Sequence, residues 1–180
     1  MLIRKFKSSL FIVDVQEKLV SVMPKPHKFI DNIIKLQKAA NILKVPIILS
    51  EQYPKGLGRT IDKIREITEL PTIEKTDFSI VQSGDAIDKY IKDGMEIIIC
   101  GIEAHVCVLQ TAIEFADDLD TKVYVVKDAI SSRNEKDYLT ALSRLDKHPN
   151  IQIVSCEMVL FEWLRSSEHP EFKTISQLIK

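Results

Sequence analysis

A chain of 180 residues is long enough to bury a sizeable single core, and one domain over 1–180 is expected. Its 45% hydrophobic and 28% charged residues form an ordinary globular balance, and a net charge of -1 gives no basis for a nucleic-acid or anionic-membrane partner. No apolar stretch is long enough to span a bilayer, Met1–Lys7 carries charges where a signal peptide needs an apolar core, and the three cysteines lack metal-like or disulfide-like spacing, so the expected setting is reducing and cytoplasmic.

Apolar strands alternate with amphipathic helices along the chain. Ser9 to Val15 is the first strand, with Asp14 at its end. Phe29, Ile33, Leu36, Ala40 and Leu43 then form one helical stripe, stopped before Pro46. Pro46 to Ser50 is a second strand, and a shorter one surrounds Thr72 to Glu74, just before Lys75. A helix is predicted over Gly84 to Lys92, then a strand over Glu96 to Cys100 that Gly101 breaks. Apolar residues at Val106, Leu109, Ala112, Ile113 and Ala116 predict a helix over His105 to Asp118. A strand over Lys122 to Val126, a helix over Glu135 to Leu145, a strand over Ile151 to Ser155 and a helix over Glu157 to Leu164 complete the pattern. Continuous apolar strands separated by helices imply a three-layer α/β/α fold around a doubly wound, mainly parallel, six-stranded Rossmann-like sheet.

Such sheets bind ligands beyond the carboxyl ends of their strands. Asp14, Ser50, Glu51, Gln52, Lys75, the Gly101–Cys107 segment and Asp128 all gather at that rim. Cys107 sits where a strand passes into a helix, where N–H groups and the helix dipole would favour a thiolate. It reads either as a nucleophile or as a small buried hydrophobe. Asp14 reads as a desolvated base or as a helix cap, and Lys75 as a thiolate partner or as surface. Ser131 and Ser132 read as caps of the next helix. Trp163, Phe161 and Leu164 read as core or subunit interface, and Cys100 and Cys156 as inert thiols.

The order Asp14, Lys75, Cys107 carries a resemblance. Asp-Val-Gln follows the first strand, Lys-Thr-Asp-Phe-Ser the third, and Gly-Ile-Glu-Ala-His-Val-Cys-Val the fourth. In this order the motifs resemble the isochorismatase-like hydrolases, also called cysteine hydrolases. Glu51-Gln52-Tyr53-Pro54-Lys55-Gly56-Leu57-Gly58, Asp128-Ala129-Ile130-Ser131-Ser132-Arg133 and Leu160-Phe161-Glu162-Trp163-Leu164 resemble the isochorismatase-domain-containing branch.

The resemblance implies a Cys107 nucleophile, Asp14 as general base and later acid, and Lys75 as the third member. It also implies a cis Ile102–Glu103 peptide that aims the N–H groups of Glu103 and Cys107 into an oxyanion hole. Gln16, Tyr53, Phe78 and His105 are the expected lining of a pocket for a small-molecule substrate. The implied reaction cleaves a small amide-like C–N bond through a thioester, in a homo-oligomer of two or more copies.

Metal-dependent nicotinamidases of the superfamily carry an Asp and paired histidines after the second strand. Here that loop has no histidine, and His27, His105, His148 and His169 are scattered. No metal and no cofactor are therefore expected. Two alternatives are a non-catalytic binding or interaction module on the same fold and a nicotinamidase-like amidohydrolase. A dinucleotide site is disfavoured, because no Gly-x-Gly-x-x-Gly follows a strand.

Overall fold

The computed structural model describes residues 1–67, 70–92, 94–118 and 121–179. Its centre is one six-stranded sheet: β1 (Ser8–Val13), β2 (Ile47–Gln52), β3 (Thr72–Lys75), β4 (Glu96–Ile102), β5 (Lys122–Ser131) and β6 (Ile151–Val154). The strands lie in the order β3-β2-β1-β4-β5-β6, and every pair is parallel. The winding reverses between β1 and β4, which makes their carboxyl ends the natural ligand crevice.

The helices follow in chain order. A single turn α1 (Glu17–Val20) precedes the long α2 (Pro26–Leu43). Two further turns, α3 (Pro54–Leu57) and α4 (Asp62–Arg65), connect β2 to β3, and α5 (Asp85–Asp88) precedes β4. The remaining helices are α6 (Leu109–Asp118), α7 (Glu135–Leu145), α8 (Cys156–Leu164) and α9 (Phe172–Ser176).

Alternation along each strand divides the core between the two faces. Leu10, Ile12, Ile98, Cys100, Tyr124 and Val126 face one side, with α2 and α8. Phe11, Val13, Ile97, Ile99, Val123 and Val125 face the other, with α6 and α7. Helix α2 follows from its apolar stripe: Phe29, Ile33, Leu36, Ala40 and Leu43 are all buried, and Lys44 closes the helix in the left-handed conformation. Trp163 and Leu164 lie in their own subunit's core, where the indole Nε1 donates to Ser8 Oγ at 3.0 Å. Phe161 is more exposed and its ring faces Phe172. No helix among the described residues is long and apolar enough to cross a membrane.

Several boundaries depart from the sequence expectation. The first strand stops at Val13, because Asp14 turns the chain with φ of 51°. The expected Gly84–Lys92 helix is one turn, Asp85–Asp88, after a 3-10 turn over Ile80–Ser83. The helix expected to open at His105 begins as a π-turn over Ala104–Val108 before α6 proper. The cap of α7 is Asn134, whose side chain accepts from Lys136 N–H, and not Ser131 or Ser132, which end β5 and enter the following turn.

Gly101 continues β4 where a break was expected. It pairs with Val13 of β1 on one side and Ile130 of β5 on the other, at φ of 121°. A Cβ there would stand 2.0 Å from the Val13 carbonyl oxygen and 2.6 Å from its nitrogen. Both obstacles are backbone of a buried central strand, so no side chain can yield. Gly101→Ala is expected to cost at least about 3 kcal/mol, as overpacking compounded by a disfavoured φ. That corresponds to a melting temperature lower by roughly 6–12 °C for a chain of this size, measurable by calorimetry; an unchanged transition would contradict the close approach.

Candidate active site

The site is assembled by residues that follow β1 and β4 at the switch point and by Lys75 at the end of β3. The Asp14 turn is fixed by its own N–H, which donates to Ser50 O at 3.2 Å, and by its carbonyl, which accepts from Gln16 N–H at 2.8 Å. Its carboxylate is fully buried. Oδ1 accepts from the Ser50 hydroxyl at 2.6 Å and Oδ2 from the Lys75 ammonium at 2.7 Å. Both charged side chains of this pair are out of water: that of Lys75 is 1% exposed and that of Asp14 0%.

Lys75 is held from several directions. Besides Asp14, its Nζ donates to Gln52 Oε1 at 2.8 Å, Phe78 O at 3.0 Å and Asp77 O at 3.3 Å. Gln52 sits opposite Lys75 in the β2–β3 register, which explains the first of these contacts. Gln52 is itself gripped by Gln16, whose Oε1 accepts from Gln52 N–H at 2.8 Å. The Gln16 amide nitrogen donates to Gln52 O and Gly58 O at 3.0 and 2.7 Å.

Cys107 occupies the π-turn that follows β4. The turn is closed by the Glu103 carbonyl, which accepts from Val106 N–H at 3.1 Å and Val108 N–H at 3.2 Å. The peptide bond between Ile102 and Glu103 is cis. Burial is the main influence that pushes the Cys107 thiol well above its ordinary range. The nearby Asp14 charge raises it further, Lys75 pulls it back, and a hydrogen bond to Asp14 and the charge of Glu103 raise it again. This corrects the expectation of a stabilised thiolate: Cys107 lies within a buried turn ahead of α6, and its carboxylate neighbours outweigh the cation. The resting group is a thiol.

The expected pocket residues do not all converge. Gln16 is fully buried, and its amide group binds backbone. Phe78 touches Lys75 through its carbonyl while its ring is half-exposed. Tyr53 donates its N–H to Lys75 O at 2.8 Å. With Lys75, Asp77 and Gln82 it walls a cleft of about 450 Å³, whose lining does not include Asp14 or Cys107. His105 braces the turn that carries Cys107: Nδ1 pairs with Ser132 Oγ at 2.9 Å, and Nε2 stands 4.0 Å from Asp137 Oδ2. Sequence reasoning noted Ser50 and Gln52 only as rim residues and assigned no partner to Arg133. Arg133 N–H donates to Glu103 Oε2 at 3.0 Å, and its Nε lies 3.4 Å from Oε1. The strand register that creates these contacts has no local sequence signal. Among the described residues no three His, Cys, Asp or Glu side chains gather as a metal ion would require.

The sequence signature of the isochorismatase domain matches residues 8–157. The chain belongs to this family. Isochorismatase domain-containing protein 2 of Danio rerio is 36% identical, covering 96% of this chain and 86% of the relative. Isochorismatase family protein 1B of Dictyostelium discoideum is 35% identical with the same coverage. A solved structure titled as MAR1 ribonuclease from Caenorhabditis elegans superposes with a TM-score of 0.93 at 35% identity, over 99% of this chain and 92% of that one. The isochorismatase family therefore accounts for both the sheet order and the motif order.

Two pH effects follow from the buried thiols. Reaction of Cys107 with iodoacetamide is expected to keep accelerating as pH rises past 9.0, the ordinary thiol value, where a resting thiolate would plateau near neutrality. Peptide mass spectrometry over pH 7–10.5 distinguishes the two profiles. Stability should fall over the same range. The folded state holds its thiols protonated while the unfolded thiols ionise above 9.0, so the unfolded state binds fewer protons as pH rises. Cys156, pushed up to about 12 mainly by burial, acts in the same direction, and the melting temperature should be lower at pH 10 than at pH 8.

Proposed function

We propose that this isochorismatase-family protein is a metal-independent cysteine hydrolase of small amide-like compounds. The observation that carries the reading is the Asp14 carboxylate, which meets the Lys75 ammonium and the Cys107 thiol in one buried site. Asp14 takes the thiol proton as sulfur attacks the substrate carbonyl carbon. The developing oxyanion receives the N–H groups of Glu103 and Cys107, and such a donor contributes roughly 3 kcal/mol. Collapse breaks the C–N bond, and protonated Asp14 returns its proton to the departing amine. Water then attacks the thioester while Asp14 accepts a proton, which leaves with the Cys107 sulfur as the acid product departs. Lys75 holds the carboxylate in place and limits how far burial raises the Cys107 thiol.

The raised thiol assigns Asp14 a second effect, which separates its roles experimentally. Asp14→Asn removes the base and also removes the charge and hydrogen bond that keep Cys107 protonated. Turnover of a small-amide panel is expected to fall at least about 100-fold, while iodoacetamide alkylation of Cys107 at pH 7.5 rises. Cys107→Ala is expected to abolish both. Equal active-site labelling of Cys107→Ala and its parent, each lacking Cys100 and Cys156, would overturn the nucleophile. Treatment with a chelator is expected to leave turnover unchanged; a loss restored by zinc would favour the nicotinamidase-like alternative. The name of the nematode structure makes an oligoribonucleotide a useful control: RNA cleavage that survives Cys107→Ala would contradict the amide reading.

A further inference from the structure

A second cleft, of about 400 Å³, lies at the end of the sheet opposite Cys107, around the amino ends of β1, β2 and β4. Lys5 and Lys7 line it from the 3-10 turn before β1, Lys44 from the end of α2, and Lys89 and Lys92 from the connection between α5 and β4. Among the described residues no Asp or Glu lines it. Asp93, in the same connection, lies outside those residues, and counted in full it still leaves an excess of positive charge. The ion pairs among the described residues all use other side chains. Lys89 Nζ lies over the Tyr90 ring, 4.9 Å from its centroid, and Lys7 Nζ lies 3.7 Å from where a Cβ on Gly94 would stand. The overall net charge of -1 conceals this local concentration of cations.

An independent observation comes from the strand beneath. Ser8 and Ser9 open β1 and point to opposite faces of the sheet. Ser8 Oγ is satisfied on the α8 side: it accepts from Trp163 Nε1 at 3.0 Å and donates to Arg4 O at 2.9 Å. Ser9 points to the side of Phe11 and Val13, where Tyr90 and Met95 pack. It lines the cleft, is fully buried, and its hydroxyl has no hydrogen-bond partner. Leaving such a hydroxyl unpaired is unfavourable, and an anionic oxygen is the acceptor it lacks.

We propose that this cleft binds a small molecule carrying several phosphate groups, a polyphosphate either free or attached to a nucleoside, with Ser9 donating its hydroxyl to a phosphate oxygen. Cations gathered in a cleft focus their field there, and the lysine ammonium is a compact donor to phosphate oxygens. A single phosphate is too small to meet five cations that arrive from three parts of the chain. A cleft suits a small anion better than the extended surface of a nucleic acid or a membrane. Phe6, between Lys5 and Lys7, adds an 80% exposed ring at the wall, a platform on which a nucleobase stacks. The length of β1, at ~3.3 Å per residue, places the cleft roughly 20 Å from Asp14, so it is separate from the catalytic rim.

Calorimetric titration of the full chain with sodium tripolyphosphate tests the site. One saturable event is expected, with a Kd at least about tenfold weaker in the double variant Lys7→Gln, Lys92→Gln. The double variant Lys63→Gln, Lys173→Gln removes the same charge from exposed positions elsewhere. It should stay within about twofold of the parent at about 0.1 M salt, where distant charges are screened. Ser9→Ala is expected to weaken binding about tenfold, the size of a hydrogen bond to a charged group, while the melting temperature without ligand holds or rises because the unpaired hydroxyl is gone. ATP binding more tightly than tripolyphosphate, with that margin lost in Phe6→Ala, assigns the cleft to a nucleotide; equal binding assigns it to the free polyphosphate. Absence of saturable binding, equal weakening in the two double variants, or an unchanged Kd in Ser9→Ala overturns the site. Retention on a short RNA or on phosphatidylserine vesicles without tripolyphosphate binding overturns it as well, and gives the lysines to a macromolecular surface.

Discussion

A buried ion pair governs the rim of this molecule. Lys75 and Asp14 come from elements separated by 61 residues and meet at 2.7 Å with almost no exposure. Removing two charges from water costs several kcal/mol per ion, and attraction alone does not reliably offset that. The remaining compensation is built into the fold: Ser50 on the carboxylate, and Gln52 with two backbone carbonyls on the ammonium. Gln16 then ties Gln52 to the loop at Gly58. The ends of β1, β2 and β3 are thus joined through one polar network, and loss of either charge would leave the other stranded inside it.

That network clarifies the state of Cys107. Helix starts commonly favour thiolates, but here a buried π-turn and two carboxylates outweigh the cation. A protonated sulfur suits the proposed role of Cys107, activated only when an electrophile is present.

Much of this was legible in the sequence because the signals were local. Continuous apolar runs in β1, β4 and β5, and the stripe from Phe29 to Leu43, predicted the parallel sheet and its long helix. Asp14, Lys75 and Cys107 stood out because each follows a strand, and the sheet order brings their strand ends together. What was hidden depends on register. Gln52 opposite Lys75 and Arg133 beside Glu103 are pairings between distant strands, which no single stretch records. Gly101 looked like a strand breaker, since its requirement comes from the neighbouring backbone of Val13. Gln16 looked like a pocket residue, but its amide is committed to backbone partners.

The contact between Gly101 and Val13 has one further consequence. Asp14 immediately follows Val13, and the turn that carries Cys107 begins three residues after Gly101. The spacing of Asp14 and Cys107 is therefore gauged by two main chains pressed together. Side chains around the cleft can change without resetting that gauge. The lining of the cleft and the geometry of the buried pair are accordingly separable: Tyr53 at the cleft wall can change, while the separation of sulfur and carboxylate is inherited from the sheet.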